Sequence, residues 1–248
     1  MQKKLAVFFV ILSVLLAGCG LDTFYYLDAP SSVYSCQADQ SDEAGLYVSF
    51  LTSEQTQNNS IYISGTAGFS FLGTAVYYCI YDNTSALSSF TTTINSLNSS
   101  SSYSSAAERI ISSGYRPLNI TTGGAPNPLV VQQGTNRNLY IRLTSLESQD
   151  AFQSAIRVGT SSISQSTEGA DLFSGAEPCR SNEKLFDFSK TGVDLPLASD
   201  DDTRFSSTET PNTYYVDLYA FSVGQDTTFA RSYSNAVHLG TIPISISD

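Results

Sequence analysis

Tyr214-Tyr215-Val216-Asp217-Leu218-Tyr219-Ala220-Phe221-Ser222-Val223 is rich in aromatic and β-branched side chains. Val216, Leu218 and Ala220 recur at every second position, the period of a strand whose successive side chains point to opposite faces. A polar turn follows around Gly224-Gln225-Asp226. A second apolar run extends from Ala236 to Ile246, with Pro243 near its end, where a strand tolerates one. Two such runs predict a long antiparallel hairpin, with Asn235 to Leu239 lying against the Tyr214 strand.

The segments upstream read the same way. Ala75-Val76-Tyr77-Tyr78-Cys79-Ile80-Tyr81 is a strong strand closed by Asp82-Asn83, and Leu46 to Leu51 is another. Ala29 to Val33 reads as an edge strand, because Pro30 removes a ladder donor. Asn58-Asn59-Ser60 reads as punctuation before a short apolar piece, Ile61-Tyr62-Ile63. Leu129-Val130-Val131 and Leu185-Phe186-Asp187-Phe188 are short strands. Leu139, Ile141 and Leu143 alternate with Tyr140 and Arg142, the pattern of a half-buried antiparallel strand. Phe152 to Val158 is ambiguous.

Asn83 to Ser113 differs in kind. From Ser85 to Ser113, 12 of 29 residues are Ser, which fits a flexible linker. Yet Leu87, Phe90, Ile94 and Leu97 recur at helical spacing. Ser105-x-x-Glu108 has the form of a capping box before Ala107, Ile110 and Ile111, and Gly114 supplies a stop. These signals predict two short helices joined near Asn98 to Tyr103.

The chain has 248 residues, of which 41% are hydrophobic, enough for a folded core. Twelve basic residues face 23 acidic ones, a formal charge of -11. Such a balance disfavours binding to nucleic-acid phosphates. Lys3 and Lys4 precede the apolar stretch Leu5 to Leu16, which is too short to span a bilayer as a helix and has the length of a signal-peptide core. It ends in Leu16-Ala17-Gly18-Cys19, which resembles the lipobox of bacterial lipoproteins at all four positions. That resemblance implies a signal peptide over residues 1–18, cleavage before Cys19 and a diacylglycerol on its thiol. A lipidated tether over 19–28 would then lead into a domain over 29–248. The mature chain would carry 10 basic and 23 acidic residues, net -13, and stand off an anionic bilayer. Gly20 stands where enterobacterial lipoproteins retained in the inner membrane carry Asp. The resemblance therefore implies an outer-membrane protein, exposed on its periplasmic or surface face.

Tyr214-x-Val216-x-Leu218-x-Ala220, with Ser234-Asn235-Ala236-Val237 opening the last strand, resembles the penultimate and final strands of a fibronectin type III domain. Phe71-Leu72-Gly73 before Val76-Tyr77-Tyr78 resembles its third strand. The second-strand Trp common in that family is absent, since the chain has no Trp, which leaves the register of the early strands open. The expected fold is mainly β, an immunoglobulin or fibronectin type III-like antiparallel sandwich. Residues 30–82 would supply its first strands and 205–247 its last, around an insertion at about 84–204 that contains the helices. Thr74 to Cys79 reads like the strand bearing the second Cys of an immunoglobulin variable domain. However, the core Trp is missing and Cys36 lies too close in sequence. The whole layout is similar to uncharacterised lipoproteins of spirochaetes.

Chemistry-bearing patterns are sparse. Cys36, Cys79 and Cys179 remain once Cys19 is set apart. An exported compartment permits a disulfide, with Cys36–Cys79 the favoured pair if one forms; otherwise the three are small buried hydrophobes. His238 is the only His and reads as an outward-facing strand residue. No G-x-S-x-G, G-x-x-x-x-G-K-[ST], G-x-G-x-x-G or H-E-x-x-H occurs, and no cofactor is indicated. Asp194, Asp200, Asp201 and Asp202 are the densest carboxylates. As hard oxygen ligands, Asp200, Asp201 and Asp202 form a Ca²⁺ candidate, although EF-hand spacing is absent; the other reading is a solvated acidic loop. Tyr25-Tyr26, Tyr77-Tyr78 and Tyr214-Tyr215 would each put one ring inward and one outward, where it can stack on a sugar or a protein. The expected function is a lipid-anchored, non-catalytic envelope module that binds a protein or carbohydrate. A carboxylate-based hydrolase such as a glycosidase is the first alternative, and an envelope assembly subunit the second.

Overall fold

The computed structural model describes residues 25–63, 65, 68–99, 103–122, 126–145, 152–159 and 169–246. Residues 1–18 and Cys19 lie outside the described residues. The strands in the first part of the chain are β1 (Ser31–Tyr34), β2 (Val48–Leu51), β3 (Phe69–Tyr81), β4 (Arg116–Pro117), β5 (Asn119–Ile120), β6 (Val130–Val131) and β7 (Asn138–Arg142). Those in the second part are β8 (Ala155–Gly159), β9 (Ala170–Asp171), β10 (Pro178–Cys179), β11 (Thr203–Arg204), β12 (Thr213–Asp226), β13 (Arg231–Tyr233) and β14 (Val237–Ser245). The helices are α1 (Gln57–Tyr62), α2 (Ser85–Asn98) and α3 (Ser105–Ser112).

Strands β3 and β12 pair antiparallel along their length, with Tyr78 opposite Leu218 and Tyr77 opposite Tyr219. The expected terminal hairpin forms on the other side of β12, where β14 pairs antiparallel from Ser245 opposite Thr213 to Val237 opposite Ala220. Strand β13 extends it beside Val223 to Gln225. The far edge of β3 is covered in pieces by β6, β4 and the parallel β11. A second, antiparallel sheet has the order β1-β2-β7-β8-β9. Its inner face packs on the first sheet. Val48, Phe50, Leu139 and Ile141 meet Val76, Tyr78, Val216 and Leu218, all buried. The molecule is therefore an antiparallel β-sandwich.

A third layer explains why β3 does not alternate. From Gly73 to Tyr81 every residue is buried, because the face turned away from the sandwich core is roofed by α2 and α3. Leu87 and Ile94 of α2 and Ala106, Ala107 and Ile110 of α3 pack on Tyr77, Cys79, Tyr219 and Phe221. The helical spacing read from Leu87, Phe90, Ile94 and Leu97 thus marks a packing stripe. The capping box does not form. Ser104 precedes α3, and its hydroxyl bonds the backbone of Tyr233, accepting from the N–H at 3.1 Å and donating to the carbonyl at 3.3 Å.

Three expectations are corrected. Residues 84–204 are not set apart from the sandwich as one insertion: β7, β8 and β9 form most of the second sheet. The folded domain does not begin at residue 29 either. Leu27 is buried, Tyr25 stacks on Phe69 at 4.2 Å, and the Asp28 carbonyl accepts from Ser53 and Ser222. Finally, Gln57 to Tyr62 is a helix. Fully buried Asn59 donates from Nδ2 to the Ser53 and Asp28 carbonyls and accepts the Asp28 N–H. Asn side chains that bond nearby backbone read as turns in sequence.

Cys36 crosses to β14 at Gly240, which has φ +125. A Cβ there would sit 2.5 Å from the Cys36 carbonyl oxygen. Gly240→Ala combines a disfavoured backbone with a clash against main chain and is expected to lower stability by about 2 kcal/mol or more. Urea unfolding checks it; an unchanged midpoint would mean that the crossing is loose.

Candidate functional site

The acidic loop closes on an arginine. Arg180, fully buried, follows β10. Its Nε and Nη2 donate to the two oxygens of Asp202 at 2.8 and 2.6 Å, a bidentate pair. Nη2 also reaches Asp200 Oδ2 at 2.6 Å, and Nη1 reaches the Asp194 carbonyl at 3.0 Å. The Tyr78 hydroxyl donates to Asp202 Oδ2 at 2.6 Å and accepts the Ser181 N–H at 2.7 Å. Burial and the Asp202 charge push the Tyr78 hydroxyl well above its usual range. Burial by itself would lower the Arg180 pKa, but Asp202 and Asp200 raise it.

In this arrangement part of the acidic loop is exposed and part is turned inward onto Arg180. Asp200 and Asp202 converge on a guanidinium that neutralises them, and Asp201 turns outward to Arg116 at 3.1 Å. The three carboxylates therefore do not meet, and among the described residues no group of three or more His, Cys, Asp or Glu side chains is placed to hold a metal ion. The loop is not merely solvated, because Asp202 is fully buried.

Asp200 gives the cluster its pH dependence. Burial alone would raise its pKa, but the Leu197 N–H and Arg180 bring it below the ordinary value. A carboxyl depressed on folding contributes stability that is present above its unfolded pKa and lost as pH falls through the folded one. The contribution of Asp200 is thus complete at neutral pH and is expected to fade only below about pH 4. Acid unfolding of Asp200→Asn should lack that limb.

A second buried carboxylate lies beneath the helices. Asp217 of β12 is fully buried. Its Oδ2 accepts the Tyr115 hydroxyl at 2.6 Å. Its Oδ1 accepts Thr241 at 2.9 Å and lies 2.7 Å from His238 Nε2. The Tyr115 and Tyr81 hydroxyls meet at 3.2 Å. His238 is not simply outward-facing: its side chain is 29% exposed and tilts over Tyr219 at 4.8 Å. Both Asp217 oxygens are engaged, so the group braces the sheet against the segment that follows α3.

The cysteines Cys36, Cys79 and Cys179 are free and buried, so the favoured Cys36–Cys79 bridge is not formed. Cys36 belongs to the core between the sheets, and Cys79 faces the helices across β3. Burial pushes the Cys36 and Cys179 thiols up to about 11 and the Cys79 thiol up to about 12. None is expected to react with a thiol reagent at neutral pH until the chain unfolds. Labelling of the native Cys19→Ala chain, followed by mass, checks this.

The outward Tyr rings are also fewer than expected. Tyr77 and Tyr78 are both buried because both faces of β3 are covered. Tyr26 is 37% exposed and meets Tyr103 edge-on at 4.5 Å.

The open cavities among the described residues include two next to these clusters and helices. One, of about 720 Å³, lies at the end of the sandwich between Arg142, Phe186, Phe188 and Ile244. Arg142 is fully buried and donates to the Glu43 and Ala44 carbonyls, so its charge is held by the wall. The other, of about 650 Å³, lies among α2, α3 and the β3–β11 corner, with Tyr81, Phe90, Arg109 and Arg204 in its lining. Sequence reasoning singled out neither pair of facing elements. The arginines carry no motif, and only the sheet register brings Arg204 beside Tyr81.

Comparisons with known proteins return no matching family model, no matching curated protein and no matching solved structure. Among the described residues, no helix is long and apolar enough to cross a membrane.

Proposed function

We propose that the chain is an exported lipoprotein, anchored through lipid on Cys19, whose sandwich presents a non-catalytic binding surface at the cell envelope. The single observation that carries the binding role is that the carboxylates of the two clusters are spent on internal partners. Asp200 and Asp202 hold Arg180, and Asp217 holds Tyr115, Thr241 and His238. Such groups stiffen a scaffold and leave recognition to its open cavities. The hydrolase reading needs two carboxylates facing a cleft across a substrate; Asp200, Asp202 and Asp217 do not supply it, and Glu43, Glu177 and Asp187 in the lining of the cavity at the end of the sandwich keep it as the alternative. The anchor rests on Leu16-Ala17-Gly18-Cys19 and the apolar run before it. Several acyl chains on one Cys hold a protein stably without a membrane-spanning helix.

Protease treatment of intact cells tests the role, with Cys19→Ala as the anchoring control. Loss of the protein from intact cells would support a surface-exposed binding module. Survival until the outer membrane is opened would sink the surface reading.

A further inference from the structure

We propose that the cavity among α2, α3 and the β3–β11 corner binds a small acidic sugar, held through Arg109 and Arg204. This deepens the binding reading and rests on it. Basic side chains are scarce, and nearly all are committed. Arg116 pairs with Asp201, Arg137 with Glu54 and Arg157 with Asp171. Arg180 and Lys184 share Asp200. Arg142 and Arg231 donate to backbone carbonyls. The Arg109 and Arg204 guanidiniums form no hydrogen bond or ion pair with any described residue, and both line this one cavity.

The lining itself has no carboxylate, and Asp82, which adjoins it, is engaged by the Ser206 N–H and hydroxyl and the Ser207 N–H. The C-terminal end of α3 favours cations and holds both guanidiniums without neutralising either, so an anion in the concavity can pair with both. Guanidinium forks match a carboxylate or phosphate bidentately. The position of Arg204 is built into the fold. Gly114, just after α3, has φ +85, and a Cβ there would lie 2.6 Å from Arg204 Nη2. The glycine lets the guanidinium lie against the end of the helix, while Arg109 projects from the last turn of the same helix.

The rest of the lining fits a sugar body. The Ser89 hydroxyl can donate and accept, the Thr93 and Ser112 hydroxyls, which donate to the Ser89 and Arg109 carbonyls, can still accept, and Phe90 and Phe205 offer apolar walls. A volume of about 650 Å³ suits one or two sugar rings. The net charge of the chain opposes a polyanion at long range, so a small ligand satisfies the site better than a charged polymer.

Calorimetric titration of the full chain in detergent with glucuronate tests the proposal, beside glucose and sodium sulfate. Glucuronate is expected to bind at least tenfold more tightly than either control, and more weakly as salt rises. Arg109→Gln and Arg204→Gln should each weaken it at least tenfold. Both side chains are exposed, so circular dichroism and thermal midpoint should not change. Glucuronate binding no better than glucose, or undiminished in the double variant, would overturn the proposal. So would sulfate binding as tightly as glucuronate, which would leave no role for the hydroxyls. Failure here beside successful protease shaving would remove the ligand and leave the binding module standing. Failure of shaving alone would relocate the protein without touching the cavity.

Discussion

Arg180→Met is expected to lower the free energy of unfolding by about 3–5 kcal/mol, because it strands the Asp202 carboxylate in the interior without a counter-ion. Asp202 is fully buried, and the substitution leaves it only the Tyr78 hydroxyl at 2.6 Å. The Asp194 carbonyl loses its Nη1 donor as well. The double variant Arg180→Met/Asp202→Leu should recover much of the loss, since a buried pair replaced by apolar groups of similar volume is often close to neutral. Urea unfolding of both single variants and the double gives the coupling directly. Additive losses would mean that the two side chains do not depend on each other.

Ile94→Ala is the second large effect. Ile94 is fully buried under α2, against the face of the sheet that carries Tyr219 and Phe221. Removing three carbons from a packed site costs about 2–5 kcal/mol, with the spread set by how far the site collapses. The loss should appear in one cooperative transition by far-UV and near-UV signals together, because the helices share a core with β3 and β12. A loss confined to helical signal, with the sheet melting unchanged, would make the α2–α3 segment a separate, loosely docked unit.

How much of this was legible depends on sequence distance. The β12–β14 hairpin was readable because its alternation is local and only a short connection separates its strands. Helix α2 was readable from the spacing of Leu87 and Ile94, and α3 from Ala107, Ile110 and Ile111. By contrast, β3 read as a strand but gave no sign that both faces are buried, since an apolar run fits one covered face or two. The Tyr77-Tyr78 pair was misread for that reason. Helix α1 was missed because Asn58 and Asn59 favour turns, and the partners that overrule this preference are Ser53 and the Asp28 backbone.

The clusters were not legible at all. Tyr78 and Asp202 are 124 positions apart, and Tyr115 and Asp217 are 102 apart. Asp200 to Asp202 read as a loop of exposed charge because nothing local announces Arg180. The same holds for the cavity, where Arg109 sits on a helix and Arg204 on an edge strand. The proposed lipobox is the opposite case: the proposal rests on four adjacent residues after an apolar run, and no fold is needed to make it.

The most direct test of a lipid-anchored binding protein is the mass of the N-terminal peptide of the protein extracted from membranes. The account predicts a peptide that begins at Cys19 and carries diacylglycerol on the thiol, with Cys19→Ala abolishing both the modification and the membrane fractionation. A peptide that retains Met1, or one that begins elsewhere with an unmodified Cys19, would contradict it.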